Sequence, residues 1–197
     1  MTAYAAFLRG INVGGHKIIP MTELTAVFVS LRFKNVRTVL ASGNVLFEVP
    51  GGSAPDLTRK IAGKLKESFG FDIGVIIRTM AELQRLSASQ PFKGIPVTPQ
   101  TRLYVTFLSE APRDNFQVPY KSAGGNFRIL RASRREVYSV VTLVPDSRSV
   151  DMMLVLEKQF GRKITTRNWK TILRVLSAHQ STTRDSLPKT TPRERKG

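Results

Sequence analysis

The segment Arg9-Gly10-Ile11-Asn12-Val13-Gly14-Gly15-His16-Lys17 is the first whose residue types could do chemistry. Gly10, Gly14 and Gly15 permit positive φ and leave backbone N–H groups uncovered, while Arg9, His16 and Lys17 add positive charge. Bare amides beside basic side chains suit phosphate or carboxylate oxygens. The spacing is not that of a P-loop. Gly10-x4-Gly15 is followed by His16, Lys17 comes one place late, and Ile18 stands where a Mg²⁺-binding hydroxyl belongs. Nor does it match G-x-G-x-x-G. A tight connection beneath the next helix would need the glycines but not three basic side chains. We therefore treat Arg9–Lys17, with Asn12 as an orienting amide, as a candidate anion-binding loop.

Two further segments carry polar groups. Ala41-Ser42-Gly43-Asn44 joins two apolar runs, and Ser42 and Asn44 can serve either as hairpin turn residues or as ligands. Thr165-Thr166-Arg167-Asn168-Trp169-Lys170 reads as the start of the final helix, since Thr and Asn are good N-caps. An N-terminus carrying Arg167 would suit an anion. Trp169 would then share a buried face with Ile172, Leu173 and Leu176. One cap accounts for one polar residue, whereas Thr165, Thr166, Arg167 and Asn168 together exceed it.

Catalytic constellations are sparse. There is no Cys, the histidines are His16 and His179, and no Asp/Glu cluster has metal spacing, so no metal or cofactor is expected. His16 is the candidate acid–base group, and its pairing with Ser42 lacks a motif to support it. Arg128, Arg131, Arg134 and Arg135 could form a rim of guanidiniums, with Phe127 and Tyr138 as stacking surfaces for nucleic acid. No RNP, KH or helix-turn-helix signature accompanies them.

The elements that must position these groups follow from periodicity. Tyr4–Leu8 is a strand, Pro20 opens a helix with Leu24, Val27, Phe28 and Leu31 on one face, and Val36–Leu40 and Asn44–Val49 are strands. Asp56–Phe69 is a helix and Ile73–Ile77 a strand. The order β-α-β-β-α-β predicts an α+β fold whose N-terminal half is ferredoxin-like. Thr79-Met80-Ala81-Glu82 is a capping box for a helix through about Leu86. Residues 90–100, with three prolines, predict a linker. Beyond it come strands at Leu103–Leu108, Phe127–Arg131 and Val137–Leu143, a helix over Val150–Phe160 ending at Gly161, and a helix from about Asn168 to Ala178. The predicted division is thus residues 1–89, a linker at 90–100, a second, smaller α+β subdomain at 101–179 with C-terminal helices, and a disordered basic tail at 180–197. No exact internal repeat is found.

Composition sets the wider frame. The chain has 197 residues with Lys+Arg 31 against Asp+Glu 14, a net charge of +17. Basic residues outnumber acidic ones 12 to 6 in residues 1–100 and 14 to 6 in residues 101–176, so the excess belongs to the folded part. Such a field draws polyanions and phosphorylated ligands. No run approaches a membrane span, and Met1–Phe7 lacks a signal peptide's basic region, so a cytoplasmic protein without membrane contact is expected.

The three motifs, namely Tyr4–Lys17, Ser42-Gly43-Asn44-Val45-Leu46-Phe47 and Thr165–Thr171, in this order and spacing, resemble the domain of unknown function 1697 family over residues 3–178. The resemblance implies a bipartite α+β fold in bacterial intracellular proteins and supplies no substrate; the basic tail looks like an addition. Three functions remain open. The first is a binding protein for a phosphate-bearing or polyanionic ligand, nucleic acid included, at Arg9–Lys17 and Thr165–Trp169. The second is a metal-independent enzyme on a small phosphorylated or carboxylated metabolite, with His16 as acid–base. The third is a structural or partner-binding module whose polar motifs brace the two halves.

Overall fold

Alternating apolar residues in β1 (Thr2–Arg9) serve two different cores, which makes it the central strand of the N-terminal half. Tyr4, Ala6 and Leu8 face one side, and Ala5 and Phe7 the other. The computed structural model describes residues 1–112, 118–144 and 151–185. After β1 come α1 (Met21–Ser30), β2 (Lys34–Thr38), β3 (Asn44–Val49), α2 (Ala54–Phe69), β4 (Gly74–Thr79) and α3 (Met80–Ala88). Ser53 caps α2 by accepting from the Asp56 N–H, and Thr79 and Glu82 form the expected capping box of α3.

The second half contains β5 (Thr101–Leu108), β6 (Tyr120–Lys121), β7 (Phe127–Ala132), β8 (Glu136–Thr142), α4 (Met152–Phe160), β9 (Ile164–Asn168) and α5 (Trp169–Asp185). The strands form two antiparallel sheets, ordered β2-β3-β1-β4 and β6-β7-β8-β5-β9. The chain is therefore a mixed α/β protein with two antiparallel sheets and, among the described residues, five helices. On the outer face of the first sheet, Leu24, Val27 and Phe28 of α1 and Leu57, Ile61 and Leu65 of α2 cover Phe47, Val45 and Ile77. The outer face of the second sheet packs Phe127, Ile129 and Val137 against Leu156 of α4. Between the sheets lies the third core, where Phe7 stacks on Phe107 at 4.6 Å and 12° and α3 and α5 close the flank.

The registers expose a twofold repetition. Ala5 of β1 lies opposite Arg78 of β4, and Val105 of β5 lies opposite Arg167 of β9. Two residues further on stand Phe7 and Phe107. The Leu8 N–H donates to the Gly43 carbonyl and the Leu108 N–H to the Arg135 carbonyl, both at 2.8 Å. Each half ends in a strand that runs directly into a helix, β4 into α3 and β9 into α5. Among the described residues, the second half has no helix corresponding to α1.

Two expectations are corrected. Residues 164–168 do not cap the last helix; they form β9, pairing with β5 from Tyr104↔Asn168 to Leu108↔Ile164, and α5 begins only at Trp169. The β-branched run Ile164-Thr165-Thr166 favours an extended backbone, and pairing with a buried strand outweighs the capping tendency of Thr. Residues 180–185, expected in a disordered tail, continue α5, because no Gly or Pro interrupts the chain there. The rest of that tail, residues 186–197, lies outside the described residues, as does part of the Val150–Phe160 expectation, since α4 begins at Met152.

Candidate functional site

The Arg9–Lys17 loop is exposed from Val13 to Ile18, with Gly10, Gly14 and Gly15 all at positive φ. Asn12 closes it from inside. Its Oδ1 accepts from the Ile19 N–H at 2.7 Å, and its Nδ2 donates to the carbonyls of Ile19 at 3.1 Å and Ala41 at 2.8 Å. Arg9 is drawn away from the loop's amides to the Glu157 carboxylate and the Arg162 carbonyl of the second half. Lys17 donates to the Asp72 carbonyl at 3.1 Å and lies over the Phe71 ring. His16 is exposed, and among the described residues its side chain meets no acid or hydroxyl. Ser42 Oγ accepts from Asn44 Nδ2 at 3.1 Å, so the Ser42–His16 pairing gains no geometric support.

Arg167 is turned inward and is 8 % exposed. Its Nε donates to Asn44 Oδ1 at 2.6 Å, and Nη1 donates to Thr165 Oγ1 and the Thr166 carbonyl, both at 2.9 Å. Nη2 reaches across the sheet interface to the carbonyls of Leu8 at 2.5 Å, Ser42 at 3.1 Å and Gly43 at 3.3 Å. Among the described residues no carboxylate faces it, and burial pushes the guanidinium down to about 10. It still carries its charge at neutral pH. Asn44 is 1 % exposed and also donates to the Val39 carbonyl at 2.7 Å, so its amide is committed internally. These residues join the first loop, the β2–β3 turn and β9. Their hydrogen-bonding capacity is directed into the protein.

Arg78 occupies the equivalent place in the first half and points into the second. Nη2 donates to the carbonyls of Leu108 and Arg135, and Nε to Glu136 Oε1 at 3.0 Å. Leu108 and Leu8 are thus matching acceptors, and Glu136, first residue of β8, matches Asn44, first of β3. Burial lowers the Arg78 pKa, with repulsion from Arg135 adding to it and Glu136 opposing. Each guanidinium also lies over the other half's phenylalanine, Arg78 over Phe107 and Arg167 over Phe7, at 5.2 and 5.6 Å. The two halves are pinned by arginines running in opposite directions.

Gly43 sits where these pins converge, at φ +73°. A Cβ there would come within 2.8 Å of Ile11 Cδ1 and 3.0 Å of Leu8 Cβ. Gly43→Ala therefore combines left-handed backbone strain with overpacking, and an unfolding titration should show a loss of about 2–4 kcal/mol. Gly10 and Gly15 have open space around the same position, so alanine there meets backbone strain alone.

An open cavity lies where β9 passes into α5. Residues 90–100, expected as a linker, fold back from α3 and wall a cleft of about 1020 Å³ against the start of β5 and of α5. Phe92 is buried and meets Trp169 edge-on at 5.4 Å and 63°, fixing the indole at the cleft wall. Lys93, Arg102 and Lys170 supply positive charge, and no acidic side chain lines the cleft. The Arg102 guanidinium is held by the carbonyls of Pro99 at 2.6 Å and Thr101 at 3.1 Å, while Lys93 and Lys170 are exposed. Asn168 lines the cleft too, its Oδ1 accepting from the Lys170 N–H at 2.9 Å. The Arg9–Lys17 loop contributes no residue to it.

A smaller hollow of about 300 Å³ beside Arg78 mixes Arg85 and Arg135 with Glu82 and Glu136. Burial pushes the Glu82 carboxyl up, but the N–H and hydroxyl of Thr79 and the charges of Arg135 and Arg78 outweigh it and hold it below its usual value. Its Arg78 and Arg135 are neutralised locally, by Glu136 and Glu82. The proposed stacking surfaces on the Arg128–Arg135 hairpin are withdrawn as well: Phe127 is fully buried, and Tyr138 lies in the sheet interface beneath Arg131.

Of the sequence-selected residues, Arg9, Asn12, Ser42, Asn44 and Arg167 come together around the sheet interface. Thr166 faces the other side of its sheet, where its hydroxyl meets that of Thr106 at 2.8 Å beside Val137. Gly10, Gly14, Gly15, His16 and Lys17 stay on the exposed loop, and Asn168 alone reaches the cleft. Lys93, Arg102 and Phe92 were missed. The available signal was apolar content, since Phe92, Ile95 and Val97 have no place in a solvated spacer. Among the described residues no three His, Cys, Asp or Glu side chains could hold a metal ion, and no helix is long and apolar enough to cross a membrane.

Two antiparallel sheets locked face to face, with a helix following the last strand of each half, describe the architecture. The chain belongs to the family described as protein of unknown function (DUF1697), whose sequence model matches residues 1–138. The match ends before the Thr165–Thr171 motif, which the resemblance had included. A conserved bacterial protein from Streptococcus pneumoniae has a similar fold, with a TM-score of 0.65 and 19 % identity over 89 % of this chain and 97 % of that one. No curated protein matches the chain.

Proposed function

We propose that the protein binds a phosphate-bearing or otherwise anionic ligand, and that the ligand occupies the cleft at Trp169 rather than the Arg9–Lys17 loop. The carrying observation is the cleft itself, an apolar hollow large enough for a small molecule, with Lys93, Arg102 and Lys170 on its walls and no carboxylate to neutralise them. Cations on the walls of an apolar hollow favour an anion attached to an apolar or aromatic body. The net charge of +17 would speed its arrival. Under this reading Thr165, Thr166 and Arg167 support the site indirectly, by fixing β9 and hence the position of Asn168, Trp169 and Lys170.

The bracing function has its own support, namely the inward hydrogen bonding of Asn12, Asn44 and Arg167. The two readings are compatible, because the brace uses Thr165 and Arg167 while the cleft uses the adjoining Asn168, Trp169 and Lys170. We also read residues 1–89 as a ferredoxin-like subdomain joined through 90–100 to a second at 101–179. The order β2-β3-β1-β4, with α1 and α2 on one face, supports that division.

Calorimetric titration with inorganic pyrophosphate, at low salt and at about 0.5 M salt, tests the ligand class. Saturable binding that weakens with salt is expected. Absence of binding at low salt contradicts the proposal.

A further inference from the structure

The polar groups in the cleft are of two kinds, and they narrow the ligand. Besides Lys93, Arg102 and Lys170, the walls carry the uncharged hydrogen-bonding side chains of Ser87, Gln90 and Asn168, whereas the Thr98 hydroxyl is already paired with that of Thr101. Asn168 uses its Oδ1 on the Lys170 N–H, and among the described residues its Nδ2 has no partner. A saturated hydrocarbon acid entering the cleft would cover these groups without satisfying them, which costs about 1–3 kcal/mol for each group left unpaired. A flat heteroaromatic ring carrying its own donors and acceptors would pair with them.

Trp169 supplies the matching surface. Phe92 packs edge-on against it at 5.4 Å and in turn meets Tyr138 at 6.0 Å and 78°, so the indole is held in place before any ligand arrives. An aromatic wall, neutral hydrogen-bonding groups and cations with no acidic neighbour are the three requirements of a nucleotide: a face for the base, partners for its edge and hydroxyls, and charge for the phosphate. A volume of about 1020 Å³ admits such a ligand whole.

We infer that the cleft is a nucleotide-binding site, with the base against Trp169 and the phosphate held by Lys93 and Lys170. This rests on the reading of the cleft as the ligand site and adds the ligand's chemistry. The nucleotide can be free or part of a single strand, since both present the same base and phosphate.

Trp169 is the only tryptophan in the chain, so its fluorescence reports directly on the cleft. The full-length protein is titrated with adenosine monophosphate, ribose 5-phosphate, decanoate and a short single-stranded oligoribonucleotide. Adenosine monophosphate or the oligonucleotide should quench the fluorescence and bind about tenfold or more tighter than ribose 5-phosphate, the stacking contribution of one base. Tighter binding of the oligonucleotide than of the mononucleotide identifies a strand as the source, and the reverse a free nucleotide. Equal affinity for ribose 5-phosphate and adenosine monophosphate, or preference for decanoate, overturns the nucleotide assignment while leaving an anion cleft standing. If none of the four binds, both the inference and the reading beneath it fail. As a second check by calorimetry, Trp169→Leu should erase the preference for adenosine monophosphate over ribose 5-phosphate in a variant whose circular dichroism is native. Retention of the preference overturns the stacking role.

Discussion

Replacing Arg167 with methionine should lower the stability of the protein by about 3–5 kcal/mol, since several buried acceptors lose their donor at about 1–3 kcal/mol for each one left unpaired. Methionine fills much of the space of the arginine stem but offers no donors. The carbonyls of Leu8, Ser42 and Gly43 and the Asn44 amide oxygen would each lose the hydrogen bond Arg167 now gives them, in a place that water does not readily reach. Part of that loss is returned, because the buried guanidinium is itself costly, as its pKa of about 10 reflects. The carbonyls decide the sign, since a half-satisfied network is worse than none. For a chain of this length the effect is a fall in melting temperature on the order of 10 °C. A melting temperature within about 2 °C of the parent would mean that Arg167 does not pin the halves. Arg167→Lys should fare nearly as badly, for an ammonium cannot reproduce the planar fork that spans Leu8, Asn44 and Thr165 at once.

The second large effect concerns binding. Lys93→Ala combined with Lys170→Ala removes two exposed cations that carry no fold-supporting contact comparable to that of Arg102. Each is expected to contribute roughly 1 kcal/mol to holding a phosphate, so pyrophosphate affinity should fall about thirtyfold. Stability should change by less than about 0.5 kcal/mol, as for surface positions generally. An unchanged affinity would place the anion elsewhere. Loss of His16 and Lys17 by alanine substitution should leave pyrophosphate binding intact, because neither lines the cleft.

Much of the fold was legible in the sequence because each half follows local rules. The capping box at Thr79, the apolar stripe of α2 and the alternating strands β1 and β3 can all be read without a partner in view. What failed depended on distant partners. Thr165 and Thr166 look like caps in isolation and become strand residues only because β5 offers them an edge. The repetition between the halves escaped for a similar reason. Register and hydrogen bonding preserve it, while Asn44 answers to Glu136 and Ala5 to Val105, so residue identity does not.

The candidate site was legible in its location and misjudged in its direction. Arg167, Asn44 and Asn12 form an unusual concentration of polar groups in the sequence, and they do converge. Sequence spacing carries no sign for inward or outward, and here the groups turn inward to satisfy carbonyls at the sheet interface. The cleft was hidden because residues 90–100 look like a spacer, and three prolines reinforced that. Its walls come from segments about 75 residues apart, brought together by the pairing of β5 with β9 and the packing of α3 against α5.

The most direct test is nuclear magnetic resonance mapping of pyrophosphate on the full-length protein. Shifts should concentrate on the amides of Lys93, Asn168 and Lys170 and on the Trp169 indole N–H, with the Gly10–Lys17 amides unmoved. Shifts confined to Gly10–Lys17 would return the anion to the glycine loop and contradict the assignment of the cleft.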